Sequence, residues 1–358
     1  MTTDHQFGFK PGHGTDMSIF VLKEILNYYK RSNTPVFITF MDASKAFDYV
    51  RHDILFAKLL ARGVKPYLIK ILSYMYRFQD FVVRWNGLLS DPFHSKNGVK
   101  QGGITSPIFF TVNLDDISKN LSALPYGCLI GDYKVNHLIY ADDLVIISTG
   151  AYGQQMLVDT CGHYGNNNSI FFNEKKTVCM IIQPSMRRLR PVPIYLNGRM
   201  LNYVNMYKYL GHLITCDLKD NEDIQAQTRQ FYIRGNAVIR DFKFASLSVK
   251  CHLFSVFCDI PYCSYLWSTF SICTFNAVRR AYSQVFRKLS GFKHSFIQSN
   301  SAMFVNLSIL TFDEILRKKS FSFLSRLHLS SNPLVANVLS LSVISHSGLW
   351  KVWSRRLF

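Results

Sequence analysis

Two neighbouring acids interrupt an otherwise apolar stretch, LIYADDLVII, at residues 138–147. The segment is too short for two helices and has β-branched residues on both sides, so it predicts a strand, a tight turn and a second strand. Near-continuous apolar strands need cover on both faces, and we therefore expect this hairpin at the centre of a sheet. Asp142 and Asp143 would lie at its turn, where like charges repel unless a cation compensates them.

A third acid ends another apolar run. In FITFMDASKAFDYV, Asp42 follows the predicted strand 36–41. If the two strands are neighbours in one sheet, Asp42 and Asp142 meet at one edge. Carboxylate oxygens are ligands that Mg²⁺ prefers, and two such ions roughly 3.5–4 Å apart could clamp an in-line phosphoryl transfer. An isolated Asp-Asp pair is more often a plain polar turn, and the second segment is what favours a metal site.

Helical and strand patterns alternate along the rest of the chain. Beyond about residue 220 the pattern becomes helical and basic. Asn-Gly pairs predict two hairpins, and Ser106 is placed as the N-cap of a helix with Pro107 in its first turn. The remaining elements predicted are helices at 17–30, 54–63 and 65–76, hairpins at Asn86-Gly87 and Asn197-Gly198, and a strand at 207–215.

The charge balance indicates a polyanionic partner. The chain has 41 Lys and Arg against 23 Asp and Glu, a formal net charge of +18, which is typical of proteins that bind nucleic acid or acidic membranes. A membrane span is disfavoured, because the apolar stretch 252–277 contains Asp259 and Pro261. The first residues lack the apolar core of a signal peptide, and eight cysteines without CxxC spacing suggest reduced thiols, so we expect an intracellular protein.

Six short segments follow one another along the chain and together span residues 6 to about 215. They are QFGFKPGHGT (6–15), FMDASKAFD (40–48), GVKQGGITSPIFF (98–110), YADD (140–143), NEKKT (173–177) and YKYLG (207–211). In this order they resemble the finger block, motifs A, B, C and D and the primer grip of the reverse transcriptases of non-LTR retrotransposons (long interspersed elements) and, more distantly, those of group II introns. Such a series is far more specific than any single member.

The resemblance implies a fold and an activity. The fold is α/β (α+β), a right-hand polymerase palm with an antiparallel sheet, divided into partial fingers (1–34), palm with primer grip (35–218) and a basic, helical, thumb-like region (219–358). The activity is that of an RNA-directed DNA polymerase, a nucleotidyltransferase. It would take dNTPs, an RNA template and a DNA primer or target DNA, and use two Mg²⁺ ions, for which Mn²⁺ could substitute.

Matching positions imply roles for individual side chains. Asp42, Asp142 and Asp143 would be the catalytic, metal-binding acids, and Lys176 a proton donor to pyrophosphate. Phe47 would be the steric gate that rejects a ribose 2′-hydroxyl. By residue type and spacing alone, Phe47 is an ordinary core aromatic and Lys176 as easily a solvated side chain. The other implied positions contact nucleotide, template or primer, and they are Gln101, Gly102, Lys10, Gly98, Gly103, Tyr209, Leu210 and Gly211.

The family's upstream finger blocks, which hold the triphosphate, do not precede QFGF in this sequence. We also find no endonuclease block and no zinc knuckle, so we expect a truncated piece of an element's open reading frame, working in a nuclear or cytoplasmic ribonucleoprotein. Two alternatives stay open. One is a catalytically inactive remnant that binds primer and template without extension, and the other is a group II intron-type maturase.

Overall fold

A computed structural model describes residues 3–44, 46–184, 189–291 and 300–357. The chain divides into two compact units. The first unit comprises Met1–Ser18, Tyr29–Val204 and Asn332–Leu334, and the second comprises Ile19–Tyr28, Asn205–Ser331 and Val335–Phe358. The limits expected at residues 34 and 218 for fingers, palm and thumb stay predictions.

Helices and strands alternate up to Val204, and helices dominate thereafter. The described helices are α1 (Thr15–Arg31), α2 (His52–Ala61), α3 (Pro66–Arg77), α4 (Ser106–Ala123), α5 (Ala151–Asn168), α6 (Asn221–Asp241), α7 (Leu247–Phe257), α8 (Ile272–Ser290), α9 (Asn300–Asn306), α10 (Phe312–His328), α11 (Pro333–Ile344) and α12 (Gly348–Leu357). The described strands are β1 (Val36–Asp42), β2 (Asp80–Phe81), β3 (Arg84–Trp85), β4 (Leu88–Leu89), β5 (Phe93–His94), β6 (Cys128–Ile130), β7 (Tyr133–Val135), β8 (His137–Tyr140), β9 (Asp143–Ser148), β10 (Val178–Ile182), β11 (Tyr195–Leu196), β12 (Arg199–Met200), β13 (Asn202–Tyr203), β14 (Met206–Tyr209) and β15 (His212–Thr215).

A five-stranded sheet forms the centre of the first unit, in the order β13-β10-β1-β9-β8. Strand β1 pairs antiparallel with both β9 and β10, and only the short β13 pairs in parallel. The first six residues of β1 are buried, five of them apolar and the sixth Thr39, which explains why its sequence is a nearly continuous apolar run rather than an alternating one. The predicted mixed α/β fold with an antiparallel sheet is confirmed.

The 138–147 hairpin is off-centre, so its predicted central position was wrong. Strand β9 is internal, but β8 lies at the end of the sheet order. Residues 5–7 cover that edge: Gln6 forms a parallel bridge to Ile139, the Phe7 amide donates to the Ile139 carbonyl at 2.8 Å, and the Ile139 amide donates to His5 at 2.9 Å. An apolar edge strand is therefore paired by a segment that carries no strand pattern of its own.

The predicted helices are present in the first hundred residues, and both Asn-Gly hairpins are confirmed. Each Asn-Gly pair has positive φ at both positions, as a type I′ turn requires. The expected N-cap of α4 was wrong by one residue, since Thr105 occupies the N-cap and Ser106 is already helical. The reason is a tight turn before the helix, in which the Ser106 amide donates to the Gly103 carbonyl at 3.2 Å.

The long segment of the second unit, from Asn205 onwards, starts with a hairpin where a single strand was predicted at 207–215. Strands β14 and β15 pair antiparallel around Leu210 and Gly211, whose φ values of 47° and 86° allow the chain to reverse. The helices α6 to α12 follow, which confirms the helical pattern predicted beyond residue 220. Their core is rich in aromatic side chains, among them Phe254, Tyr282 and Phe286.

A buried ion pair between Lys23 and Asp220 adjoins His212 of β15 in the second unit. The Lys23 ammonium donates to Asp220 Oδ1 at 2.5 Å, to the Leu266 carbonyl at 2.9 Å and to His212 Nε2 at 3.2 Å. Burial alone would raise the pKa of Asp220, but the Lys23 charge holds that pKa well below its usual range. None of the helices in the described ranges is long and apolar enough to cross a lipid bilayer.

Candidate active site

The structure places two of the three acids opposite each other. Asp42 is the last residue of β1 and Asp143 the first of β9, and they are register partners across the antiparallel pair. Directly opposed residues in such a pair have Cα atoms about 4.5–5.5 Å apart. Asp142 precedes Asp143 in the turn after Ala141, which takes a left-handed φ of 56°. The chain thereby gathers three carboxylates at one end of two strands.

These carboxylates carry unbalanced negative charge. Burial raises the pKa of Asp143 to about 6, with further contributions from the charges of Asp142 and Asp42, although part of the Asp143 side chain still contacts solvent. A divalent cation would relieve this repulsion, and oxygen ligands fit Mg²⁺. Among the described residues no group of three His, Cys, Asp or Glu side chains forms a ready-made metal cage. Mg²⁺ usually takes one or two carboxylates and completes its shell with phosphate oxygens and water.

The 173–177 segment fixes the backbone of Asp42 on both sides. The Asn173 amide donates to the Asp42 carbonyl at 2.8 Å, and the Asp42 amide donates to Thr177 Oγ1 at 3.2 Å. Lys176 lies in the turn between them with an exposed side chain, and its amide donates to the Asn173 carbonyl at 3.2 Å. The structure therefore brings the segment of Lys176 to the end of β1 that carries Asp42.

Gln6 and Gly8 support the acidic turn, and our sequence reasoning missed them. Gln6 Oε1 accepts hydrogen bonds from the Gly8 amide at 2.8 Å and the Ala141 amide at 3.4 Å. Any Cβ atom at Gly8 would lie 2.3 Å from the Ala141 nitrogen, so only glycine fits there without displacement. A glycine between two phenylalanines, outside any predicted turn, was the available signal for such a close backbone approach.

Phe47 lies in the loop after β1 and is half-buried. Its ring stacks on Phe110 with centroids 4.4 Å apart and an interplanar angle of 14°. Phe9 contacts it edge-on at 6.4 Å, and the Val99 amide donates to the Phe47 carbonyl at 2.8 Å. Both the ring and its backbone are therefore held in place, and the expected role of Phe47 as a steric gate stays a prediction.

The loop before α4 is fastened to the same region. The Gly98 amide donates to the Val50 carbonyl at 2.8 Å, and the His52 ring donates to the Gly98 carbonyl at 2.7 Å. Gly98 has a φ of 95°, and a Cβ there would lie 2.9 Å from the Asp48 carbonyl oxygen. Gln101 and Gly102 follow on the surface. Gly98 and Gln101 line a cavity of about 420 Å³ with Tyr76, Phe81 and Phe93.

Gly103 and Lys10 have local partners in this unit. A Cβ at Gly103 would lie 2.6 Å from Ser106 Oγ, so glycine keeps the start of α4 compact. The Lys10 ammonium donates to the Thr3 carbonyl at 2.5 Å, and partial burial lowers the pKa of Lys10. Its expected contact with template phosphate stays a prediction.

The three primer-grip positions belong to the second unit. Tyr209 ends β14 with a buried side chain, and Leu210 and Gly211 form the turn to β15. A Cβ at Gly211 would lie 3.1 Å from the Tyr262 ring, so the turn also packs closely against its own unit. The role of these residues at a primer end stays a prediction.

Comparison with known proteins gives consistent matches. The model of the family described as reverse transcriptase (RNA-dependent DNA polymerase) matches residues 1–214. The chain is 30% identical over 243 residues to the probable RNA-directed DNA polymerase from transposon BS of Drosophila melanogaster, covering 64% of this chain and 26% of that protein. It is 25% identical over 351 residues to the corresponding protein from transposon X-element of the same species, covering 94% of this chain and 37% of that protein.

The chain therefore spans between about a quarter and somewhat more than a third of the length of these relatives. Among solved structures, apo telomerase from Candida tropicalis is similar over 94% of this chain and 53% of that chain, with a TM-score of 0.48 and 15% sequence identity.

Proposed function

This chain belongs to the reverse transcriptase (RNA-dependent DNA polymerase) family, and from that premise we propose that it adds deoxynucleotides to the 3′-hydroxyl of a DNA primer, copying an RNA template. The resemblance to retrotransposon reverse transcriptases is confirmed by relatives that are RNA-directed DNA polymerases of transposons. The reaction forms a phosphodiester bond and releases pyrophosphate.

The observation that carries the proposal is the pairing of Asp42 with Asp143 across β1 and β9, with Asp142 beside them. Three carboxylates at one sheet edge raise the pKa of Asp143 through burial and mutual repulsion. A purely structural turn gains nothing from this arrangement, because repulsion without a cation destabilises the fold. Carboxylates that repel one another in the absence of a cation are typical of a site that binds one, because the cation relieves the repulsion.

We assign Asp42, Asp142 and Asp143 as the residues that would hold two Mg²⁺ ions, or Mn²⁺ in their place. Bound there, the ions would acidify the primer hydroxyl and stabilise the charge of the leaving pyrophosphate. The chain itself supplies the geometry: the Asn173 backbone amide donates to the Asp42 carbonyl, and the Thr177 hydroxyl accepts from the Asp42 amide. Most of the catalytic effect in such transfers is positioning and charge stabilisation.

Two further residues have roles in this proposal. Phe47, held against Phe110, would exclude a ribose 2′-hydroxyl from the nucleotide site. Lys176 would give a proton to the departing pyrophosphate, since its turn adjoins Asp42 and its side chain is free to reach solvent. In the loop before α4, Gln101 and Gly102 would contact the incoming nucleotide, and Gly98 and Gly103 the template or primer.

The partners we propose are an RNA template, a DNA primer or target DNA, and dNTPs. The net charge of +18 supports polyanionic partners, since each phosphate contact by Lys or Arg releases counterions. Lys10 would contact template phosphate, and Tyr209, Leu210 and Gly211 would support the primer end. We expect the protein in an intracellular ribonucleoprotein, nuclear or cytoplasmic.

Primer extension on an RNA template, with Mg²⁺ or Mn²⁺, tests the proposal. Asp42→Asn and Asp142→Asn should abolish incorporation, whereas Asp132→Asn, which changes an exposed acid in the β6–β7 turn, should leave it unchanged. Primer–template binding should persist in all three variants. Binding without incorporation by the unmodified chain, with either metal, would instead identify a catalytically inactive nucleic-acid-binding protein.

A further inference from the structure

A second cavity lies within the helical unit, remote in sequence from the acids. Helices α8, α10 and α12 contribute its walls, and its volume of about 450 Å³ is in the range of small-molecule sites. Its lining is unusual in charge, because it combines four arginines with a single acid. The lining residues that matter here are Arg279, Arg317, Arg355, Arg356, Asp313 and Phe275.

The single acid does not balance the four guanidinium groups. Asp313 accepts a hydrogen bond from Arg279 Nη2 at 2.8 Å, which accounts for one of them. Within the described part of the chain, Arg317 and Arg355 form no ion pair, and both are exposed towards solvent. The neighbouring Glu314 caps its own helix, accepting from the Thr311 amide at 2.7 Å, and does not line the cavity. The Thr311 hydrogen bonds lower the pKa of Glu314, and the charge of Arg317 adds a smaller contribution, so Glu314 offsets only part of one of the four charges. The cavity therefore has a strong excess of positive charge.

Arg356, one of the four lining arginines, places positive charge at a buried position. Its Nη1 atom is buried and has no hydrogen-bond partner among the described residues. Burial lowers the pKa of Arg356 to about 10, only partly opposed by the charge of Asp313. A buried, charged donor without an acceptor is strongly unfavourable, and an anion in the cavity would satisfy it.

An aromatic ring orders two of the guanidinium groups. The Cζ atoms of Arg279 and Arg356 lie 5.5 Å and 5.8 Å from the centroid of Phe275, within the range of cation–π contact. Phe275 is itself stacked on Phe270, with centroids 4.8 Å apart. Guanidinium groups held in this way lose less side-chain entropy when they bind a ligand, so the site is partly preorganised.

We propose that this cavity binds a phosphate group. Planar guanidinium groups form paired hydrogen bonds with phosphate oxygens, and several arginines around one cavity are suited to a doubly charged or bridging phosphate. The phosphate could belong to a nucleic-acid backbone or to a free phosphate ion, and both share the same recognition chemistry. The proposal does not depend on polymerase activity, because it concerns a separate cavity and a binding readout.

Calorimetric titration of the full chain with inorganic phosphate, at ionic strength held constant with chloride, tests the first source. Anisotropy of a labelled RNA–DNA hybrid over a range of salt concentrations tests the second. The informative variant is Arg317→Gln with Arg355→Gln, since both side chains are exposed and the fold should tolerate the change. The control is Arg240→Gln with Lys243→Gln, which removes two exposed charges elsewhere in the same unit.

We expect the cavity variant to bind at least one probe about tenfold more weakly than the control. If the hybrid is the ligand, the slope of log affinity against log salt should also become shallower by about one to two. Arg356→Lys, which keeps the charge but lacks the fork, should weaken binding in the same assay. A difference of less than threefold between cavity variant and control, with both probes, would overturn the proposal.

Discussion

Replacing Gly8 by alanine should damage the acidic turn from a distance in sequence of more than a hundred residues. The new Cβ would lie 2.3 Å from the Ala141 nitrogen, whereas ordinary contacts begin at 3.4 Å, so the two segments must separate by about 1 Å. Its next two neighbours, the Ala141 Cα and the Tyr140 carbonyl carbon at 3.1 Å, are also backbone atoms, so no rotamer change relieves the clash.

The expected consequences are a loss of activity and a modest loss of stability. Displacement of reacting groups by about 1 Å can cost about 10²-fold in rate, and overpacking typically costs about 1–3 kcal/mol. Primer extension rates and urea denaturation would measure the two effects. Gly150→Ala is the matched control, because Gly150 has a φ of −141° and nothing within 4 Å of an added Cβ.

Equal behaviour of Gly8→Ala and Gly150→Ala, within twofold in rate and within about 0.5 kcal/mol in the free energy of unfolding, would show that the close approach of Gly8 to Ala141 does not support the acidic turn. The stability readout stands even if the unmodified chain does not extend primers, so it separates a wrong packing argument from a wrong function.

Three further outcomes follow from other contacts. Because the pKa of Asp143 is about 6 when folded and lower when unfolded, the folded state holds more protons between about pH 4 and 6, and the free energy of unfolding should fall as pH rises through that window. The Asp143→Asn variant should not show this fall. After allowance for solvent screening, it should be about 1 kcal/mol more stable than the unmodified chain at pH 7 in EDTA. Equal pH profiles of the two proteins in urea denaturation would contradict this expectation. Asp220→Asn leaves the buried Lys23 ammonium uncompensated and should cost about 3–5 kcal/mol of unfolding free energy in the same assay, against less than about 1 kcal/mol for Asp217→Asn on the surface. Phe47→Val should raise the ratio of kcat/KM for ribonucleotides over deoxynucleotides by at least about tenfold, and an unchanged ratio would exclude Phe47 as the steric gate.

Much of the fold follows from local signals. The Asn-Gly turns, the nearly continuous apolar run of β1 and Pro66 at the start of α3 each determine their element within a few residues. Local pattern failed where a long-range partner decides the outcome. Strand β8 lies at the edge of the sheet, where the segment around Gln6 pairs with it. That segment has no strand periodicity, so its pairing could not be predicted from the sequence.

In the candidate site, too, some features could be predicted from the sequence and others could not. The sequence predicted that Asp42 and Asp142 meet at one edge, because each adjoins an apolar strand, whereas the structure makes Asp143 the register partner of Asp42 and places Asp142 beside it in the turn. The supporting contacts of Thr177 and Gln6 could not be predicted from the sequence, since a threonine and a glutamine form hydrogen bonds in almost any environment. Leu210 and Gly211 both have positive φ and form a turn. Gly211 was the sequence signal for that turn, and the prediction of one continuous strand over 207–215 did not take it into account.

The middle strand of the main sheet is the first one to be synthesised. Strand β1 leaves the ribosome well before either neighbour, because β9 starts roughly a hundred residues later and β10 later still. At about 5–20 residues per second, VFITFM waits on the order of 5–20 s for its first partner. A nascent chain of this kind displays an unpaired, largely apolar strand throughout that interval, so its yield in cells should depend on chaperone supply and on translation speed between these strands.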